Sequence, residues 1–112
     1  MFFDSNIQST MRAGLTGVTF GDRQKNIQTY CNPENPTFGL FREPDNPHDP
    51  NAISVGISAD ISIGYIPTKI AQHLAPMMDS GRHFIAKFVQ VNKSPYHSVV
   101  GITVDIVETT RQ

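Results

Sequence analysis

Three prolines in seven positions constrain this chain more than any other feature of its sequence. Pro44, Pro47 and Pro50 lie in one run, residues 43–51, between polar side chains. Proline fixes φ and has no backbone N–H, so this run cannot continue a helix or the hydrogen bonds of a central strand. The sequence therefore predicts a rigid loop at residues 43–51.

Short segments with β character flank the loop on both sides. Apolar residues alternate with polar ones, and turn residues separate the segments. The predicted strands cover residues 12–20, 37–42, 52–58, 61–65, 83–91 and 99–107. Ile53, Val55 and Ile57 should share one face of the third strand, and residues 52–65 should form a hairpin. A slip in the alternation predicts a β-bulge within residues 83–91.

One stretch in the second half has the period of a helix. Its apolar residues recur at the spacing of a single helix face: Ile70, Ala71, Leu74, Met77 and Met78. This spacing predicts a helix over residues 67–80, which Pro76 should kink or divide and Gly81 should end. Many short strands and one helix predict a mainly β fold, a small antiparallel β-barrel with the helix packed at one end.

Length and composition narrow the possible functions. The 112 residues form one domain, predicted to span residues 12–110, after an N-terminal arm or edge strand at residues 1–11. The net charge of −1 disfavours a broad basic face, so any contact with nucleic acid must be local. The single cysteine, Cys31, excludes an internal disulfide framework and a multi-cysteine zinc site. Without a long apolar run or a signal-like start, we expect a cytoplasmic, intracellular protein with no membrane contact.

The proline loop carries the densest group of polar side chains. Asp45, His48 and Asp49 are residue types that bind divalent metals, which makes a metal-dependent hydrolase one hypothesis. Their spacing matches no known metal-binding motif, and Asp and Asn also form Asx-turns in such loops. Arg42 and Glu43 are interpreted as an ion pair or turn contact that fixes the loop.

The order of the loop and of its flanking segments resembles the signature of the HIRAN domain family. The resemblance is carried by residues 42–53, 63–67 and 70–71, and it extends to residues 17–20 and 101–104. It implies an OB-like β-barrel with helical insertions. Such domains are accessory modules of fork-remodelling and repair enzymes and stand-alone proteins in bacteria. The best understood members capture the 3′ end of single-stranded DNA.

The resemblance also implies a site. Asp49 matches the aspartate that receives the terminal hydroxyl, and Asn46 matches a neighbouring polar contact. His48 stands where family members place an aromatic ring against the terminal base. Phe20 matches a second stacking aromatic, and the hydroxyl of Tyr65 is expected to reach the DNA backbone.

Two positions depart from the pattern of the DNA-binding members. Thr19 stands where they carry an arginine, and Thr68 stands where a lysine would contact phosphate. Three nearby cations, Arg23, Lys25 and Lys69, are candidates to replace them. A set of three cations or fewer predicts modest affinity with a shallow dependence on salt.

Three functional hypotheses follow. The first is a non-catalytic module that binds 3′ ends of single-stranded DNA and needs no cofactor. Repair or remodelling enzymes are its expected partners. The second is a protein-interaction or scaffold domain that keeps the loop for folding and has lost DNA binding. The third is the metal-dependent hydrolase, centred on residues 45–49.

Overall fold

The computed structural model describes residues 10–109, which form six strands and two helices. In chain order these are β1 (Thr10–Gly14), α1 (Arg23–Tyr30), β2 (Thr37–Arg42), β3 (Ile53–Ser58), β4 (Ile61–Tyr65), α2 (Thr68–Asp79), β5 (His83–Ser94) and β6 (His97–Thr109). Of the predicted arm or edge strand at residues 1–11, only Thr10 and Met11 are described, and they begin β1. Neither helix is long and apolar enough to cross a membrane.

All six strands belong to one antiparallel sheet in the order β1-β6-β5-β2-β3-β4. The sheet curls so that its two edge strands approach each other. Just after β1, Thr16 exchanges two backbone hydrogen bonds of 2.9 Å with Tyr65 at the end of β4. This bridge joins the edges at one point only, so the sheet forms a curled half-barrel. The prediction of a mainly β, OB-like fold is confirmed.

Helices and strands share one hydrophobic core. Ile27 of α1 and Leu74 of α2 are buried against residues from β1 through β6, among them Ile53, Ile63 and Val104. Burying such side chains stabilises the fold by roughly 1.5–3 kcal/mol each. The core therefore holds the ends of the strands, and the loops between them, in fixed relative positions.

The predicted first strand is too long, and a helix was not predicted. β1 ends at Gly14, residues 15–22 form a loop, and α1 follows. Only Ile27 of α1 is buried, so the helix has almost no apolar period. Its anchor is instead polar: the Gln24 amide donates to the carbonyls of Val18 and Val100 and accepts from the Val100 N–H. Hydrophobic periodicity cannot reveal a helix that is held in this way.

The predicted strand 37–42 and the hairpin after the proline loop are confirmed, with one error. Ile53 and Val55 are fully buried, whereas Ile57 is 40% exposed. The pairing of β3 with β4 shifts register on both sides of Gly56, so the alternation of the first half does not continue to Ile57.

The predicted helix at residues 67–80 is confirmed as α2, but Pro76 does not divide it. Pro76 begins the last turn of α2, so the hydrogen bond that it cannot donate to the carbonyl of Gln72 is lost near the end of the helix rather than at its centre. Gly81 ends the helix with φ +103°, and its N–H donates to the carbonyl of Met78. β5 and β6 are longer than predicted: the expected turn at 92–95 shrinks to Pro95 and Tyr96, and the expected bulge lies between Phe88 and Gln90.

Candidate nucleic-acid interface

An open pocket of about 380 Å³ lies where the chain after β1, the proline loop and the ends of β4 and α1 meet. Its walls are formed by Thr16, Gly17, Phe20, Arg23, Asn46, His48, Asp49, Ala52, Tyr65, Ile66 and Thr68. These residues come from three separate parts of the sequence, residues 16–23, 46–52 and 65–68. Seven of the ten predicted site residues are therefore brought together: Phe20, Arg23, Asn46, His48, Asp49, Tyr65 and Thr68.

A glycine allows two walls of the pocket to meet. Gly64 has φ +153°, and a Cβ at this position would lie 3.0 Å from the carbonyl oxygen of Thr16 and 3.1 Å from Cβ of Leu15. The missing side chain lets the Thr16–Tyr65 bridge form. The Phe20 segment consequently sits beside the end of β4.

Phe20, which is exposed, and Arg23, which is half-buried, form one side of the pocket. The Phe20 side chain is 69% exposed, whereas Phe38 in the core is 3% exposed. The guanidinium of Arg23 lies 4.8 Å from the ring centroid of Tyr65 and 5.8 Å from that of Phe20. Its Nη1 donates to the carbonyl of Gly17 at 2.7 Å, and no carboxylate of the described residues pairs with it. Arg23 is thus a positive charge held against two aromatic rings and available to a ligand.

The proline loop is built by its own polar side chains. Oδ1 of Asn46 accepts hydrogen bonds from the backbone N–H groups of His48 (2.8 Å) and Asp49 (3.3 Å). Oδ1 of Asp49 accepts from the N–H of Asn51 at 2.8 Å. These are the expected Asx-turns, and they order the loop in which Asn46 and Asp49 line the pocket.

The hydroxyl of Tyr65 is already engaged within the protein. It donates to Oε1 of Glu43 at 2.7 Å. Burial raises the pKa of Tyr65, the bond to Glu43 raises it further, and Arg23 opposes both effects. The sequence predicts that this hydroxyl reaches the DNA backbone. In the structure it points instead at the Glu43 carboxylate, while the Tyr65 ring forms part of the pocket wall.

The turn-contact interpretation of Glu43 is confirmed, but its pairing with Arg42 is not. Oε1 of Glu43 also accepts from Nδ2 of Asn46 at 3.0 Å. Arg42 makes a two-bond ion pair with Asp79 of α2, at 2.9 and 3.0 Å, and donates to the carbonyl of Ala52. Sequence reasoning missed Glu43 as the link between the loop and Tyr65, because the two residues are 22 positions apart.

Three predicted site residues lie outside the pocket wall. Thr19 precedes Phe20 in the exposed loop, and Lys25 is exposed on α1. Lys69 is exposed in the first turn of α2, next to Thr68, which does line the pocket.

The geometry does not support the metal-dependent hydrolase. Residues 10–109 contain no group of three or more His, Cys, Asp or Glu side chains placed to hold a metal ion. Asp45 is exposed and does not line the pocket. Burial raises the pKa of the Cys31 thiol to about 12, which disfavours the reactive thiolate at neutral pH.

Comparisons with known proteins identify a matching family model and a relative in sequence. The model of the HIRAN domain family matches residues 14–107. A Fanconi-associated nuclease 1 homolog from rice (Oryza sativa subsp. japonica) is 40% identical over 55 residues, which are 46% of this chain and 6% of the rice protein.

Two crystal structures share the fold. The HIRAN domain of human HLTF superposes with a TM-score of 0.63 at 20% identity, over 89% of this chain and 74% of that one. A protein from Lactobacillus plantarum gives a TM-score of 0.65 at 21% identity, over 91% of this chain and 99% of that one. Because the family model spans nearly the whole described region, the chain belongs to the HIRAN domain family.

Proposed function

We propose that this domain binds the 3′ hydroxyl end of single-stranded DNA and has no catalytic activity of its own. It acts inside the cell, beside enzymes of DNA repair or fork processing. Its family membership and its likeness to part of a Fanconi-associated nuclease homolog support this setting. The pocket supports the choice of ligand.

One observation carries the proposal: an exposed aromatic ring, a free cation and a carboxylate face the same pocket. Phe20 can stack on a base without reading its identity. Arg23 can neutralise a phosphate. Asp49 supplies an acceptor for a hydroxyl donor. A terminal nucleotide offers all three partners at once: a base, a phosphate and a hydroxyl.

Asp49 accounts for the preference for a hydroxyl end. One carboxylate oxygen accepts the Asn51 N–H, and among the described residues nothing donates to the other. That oxygen can accept a hydrogen bond from a free 3′ hydroxyl. A 3′ phosphate would place its negative charge against the same carboxylate and be repelled.

The cations limit the affinity and its salt dependence. Arg23 lies in the pocket, and Lys25 and Lys69 are exposed nearby. Thr68 offers a neutral hydroxyl donor where a lysine would add charge. With three or fewer phosphates neutralised, the logarithm of the binding constant should fall with the logarithm of salt concentration at a slope no steeper than about −2 for a single strand.

The test is a titration of labelled single strands that end in a 3′ hydroxyl, end in a 3′ phosphate or are circular. We expect the hydroxyl end to bind roughly ten- to 150-fold more tightly, since a hydrogen bond to a charged acceptor contributes about 1.5–3 kcal/mol. Asp49→Asn keeps an acceptor for the Asn51 N–H but removes the charge, so most of this preference should disappear.

Asp45→Asn is the matched control, because Asp45 belongs to the same loop but does not line the pocket. It should leave the preference unchanged. Equal binding of all three strands by the wild type would rule out end capture. If no strand binds at low salt, the protein-interaction hypothesis replaces this one.

A further inference from the structure

Glu43 joins two walls of the pocket without lining it. Its Oε1 accepts hydrogen bonds from the Tyr65 hydroxyl at 2.7 Å and from Nδ2 of Asn46 at 3.0 Å. Tyr65 stands at the end of β4, under the guanidinium of Arg23. Asn46 stands in the proline loop, where its Oδ1 holds the N–H groups of His48 and Asp49. One carboxylate oxygen therefore connects the aromatic wall to the loop that carries Asp49.

We propose that Glu43 is a positioning residue that sets the spacing between the stacking side of the pocket and the Asp49 carboxylate. This proposal rests on the proposed function and deepens it: Glu43 determines selectivity for the hydroxyl end without touching the DNA. Because a single oxygen accepts both hydrogen bonds, the Tyr65 hydroxyl and the Asn46 amide are held at a fixed separation. The spacing matters because a hydroxyl must approach Asp49 within hydrogen-bonding distance while its base stacks on Phe20.

The loop does not need this carboxylate in order to fold. The backbone N–H of Glu43 donates to the carbonyl of Ala52, and the N–H of Asn46 donates to the carbonyl of Glu43, each at 3.0 Å. Arg42 holds the same Ala52 carbonyl at 3.0 Å. Removing the Glu43 side chain thus loosens the connection between the walls and leaves the loop in place.

The first measurement is the ratio of the Kd for phosphate-ended strands to the Kd for hydroxyl-ended strands. Glu43→Ala should lower this ratio roughly five- to tenfold, whereas Glu43→Gln, whose Oε1 can accept from the same two donors, should stay within about twofold of the wild type. Tyr65→Phe keeps the ring and removes the donor, so it should lower the ratio as well. Combining it with Glu43→Ala should add little, because both changes break the same bond.

Glu34→Ala is the control, since Glu34 is exposed in the loop before β2 and lies outside the pocket. Unfolding in urea shows whether each variant remains folded. If Glu43→Ala is folded and keeps the wild-type ratio, Glu43 is only structural and the proposal is wrong. If Glu43→Gln behaves like Glu43→Ala, the charge rather than the acceptor matters, which also overturns it.

A second measurement needs no DNA and separates this proposal from the function on which it rests. Amide hydrogen exchange by NMR should be faster at His48 and Asp49 in Glu43→Ala than in the wild type or Glu43→Gln, because Asn46 loses its anchor. Unchanged exchange in Glu43→Ala would refute the positioning role. If the wild type does not discriminate between strand ends, the proposed function fails and the selectivity role fails with it, while the exchange data still decide whether Glu43 holds the loop.

Discussion

The pocket and the tip of the β5–β6 hairpin both expose an aromatic side chain, yet only one of them resembles a binding site. Phe20 is 69% exposed and Tyr96, at the hairpin tip, is 88% exposed. Phe20 shares its pocket with the guanidinium of Arg23 and with the carboxylate of Asp49, which the proline loop brings from a distant part of the sequence. Around Tyr96 there is a tight turn, in which its N–H donates to Oγ of Ser94. Convergence of complementary groups, rather than exposure, distinguishes the two regions.

Replacing the two aromatic side chains in turn should show the largest difference between the two regions. Phe20→Ala should weaken binding of single-stranded DNA by roughly 1–3 kcal/mol for the base it stacks on, about five- to 150-fold. Tyr96→Ala should leave the affinity within about twofold, a difference near the resolution of a titration. Fluorescence anisotropy of a labelled strand measures both. Equal losses in the two variants would show that the hairpin tip also contacts DNA.

Glycines in the two regions should differ in how much their replacement lowers stability. Gly64→Ala places a Cβ 3.0 Å from the Thr16 carbonyl oxygen at φ +153°, so the free energy of unfolding should fall by roughly 1–3 kcal/mol. Gly101→Ala, on the hairpin, meets only Asn92 at 3.8 Å and should change stability little. Urea unfolding measures both variants. A tolerated Gly64→Ala would mean that the two walls of the pocket need not approach so closely.

Prolines in the two regions test whether the loop is preorganised for binding. Pro47→Gly and Pro95→Gly should each lower stability by about 0.4–1 kcal/mol, through greater freedom of the unfolded chain. Only Pro47→Gly should also weaken DNA binding, by up to roughly fivefold, because the loop must then be ordered when DNA binds. Comparing Kd with unfolding free energy separates the effects. If the loss of binding does not exceed the loss of stability, Pro47 is only structural.

The smallest expected effect concerns two surface ion pairs and their pH dependence. Arg42 lowers the pKa of Asp79 near the pocket loop, and Arg82 lowers that of Glu108 on β6. A lowered pKa in the folded state stabilises the protein above the ordinary carboxylate pKa of about 4, and this contribution is lost as pH falls through the lowered value. Between about pH 7 and pH 2, the free energy of unfolding should therefore fall less steeply in Asp79→Asn and in Glu108→Gln than in the wild type.

Binding distinguishes the two pairs. Arg42 also holds the Ala52 carbonyl beside the pocket, so Asp79→Asn should slightly weaken DNA binding, whereas Glu108→Gln should not. The effect is small because the Asp79 side chain is 56% exposed and solvent screens the pair. An equal response of both variants would mean that Arg42 does not transmit order to the loop.

Local patterns predicted much of the fold. The proline loop, β2, the β3–β4 hairpin and α2 follow from residues adjacent in sequence, whose alternation, period or proline content acts over one element. The errors arose where the cause is tertiary. α1 depends on Gln24 bonding to the backbone of Val100, 76 positions away. Ile57 is exposed because Gly56 is paired out of register with β4.

The candidate site divides in the same way. The residue types of the loop and the resemblance they carry indicated Asn46, His48 and Asp49 from the sequence, and Asx chemistry explains their local arrangement. The sequence could not select Arg23 among three nearby cations. Only the fold puts its guanidinium 4.8 Å from the Tyr65 ring and leaves Lys25 and Lys69 outside the pocket wall.

From the sequence come the place of the proline loop, of β2, of the β3–β4 hairpin and of α2, together with the candidate site residues. Backbone dihedral restriction, side-chain periodicity and short-range hydrogen bonds act between near neighbours, so they can be read along the chain. The tertiary structure alone decided that the Tyr65 hydroxyl faces Glu43 rather than the open pocket. That choice depends on the Thr16–Tyr65 bridge, which brings the two edges of the sheet together, and on Gly64, which leaves room for it.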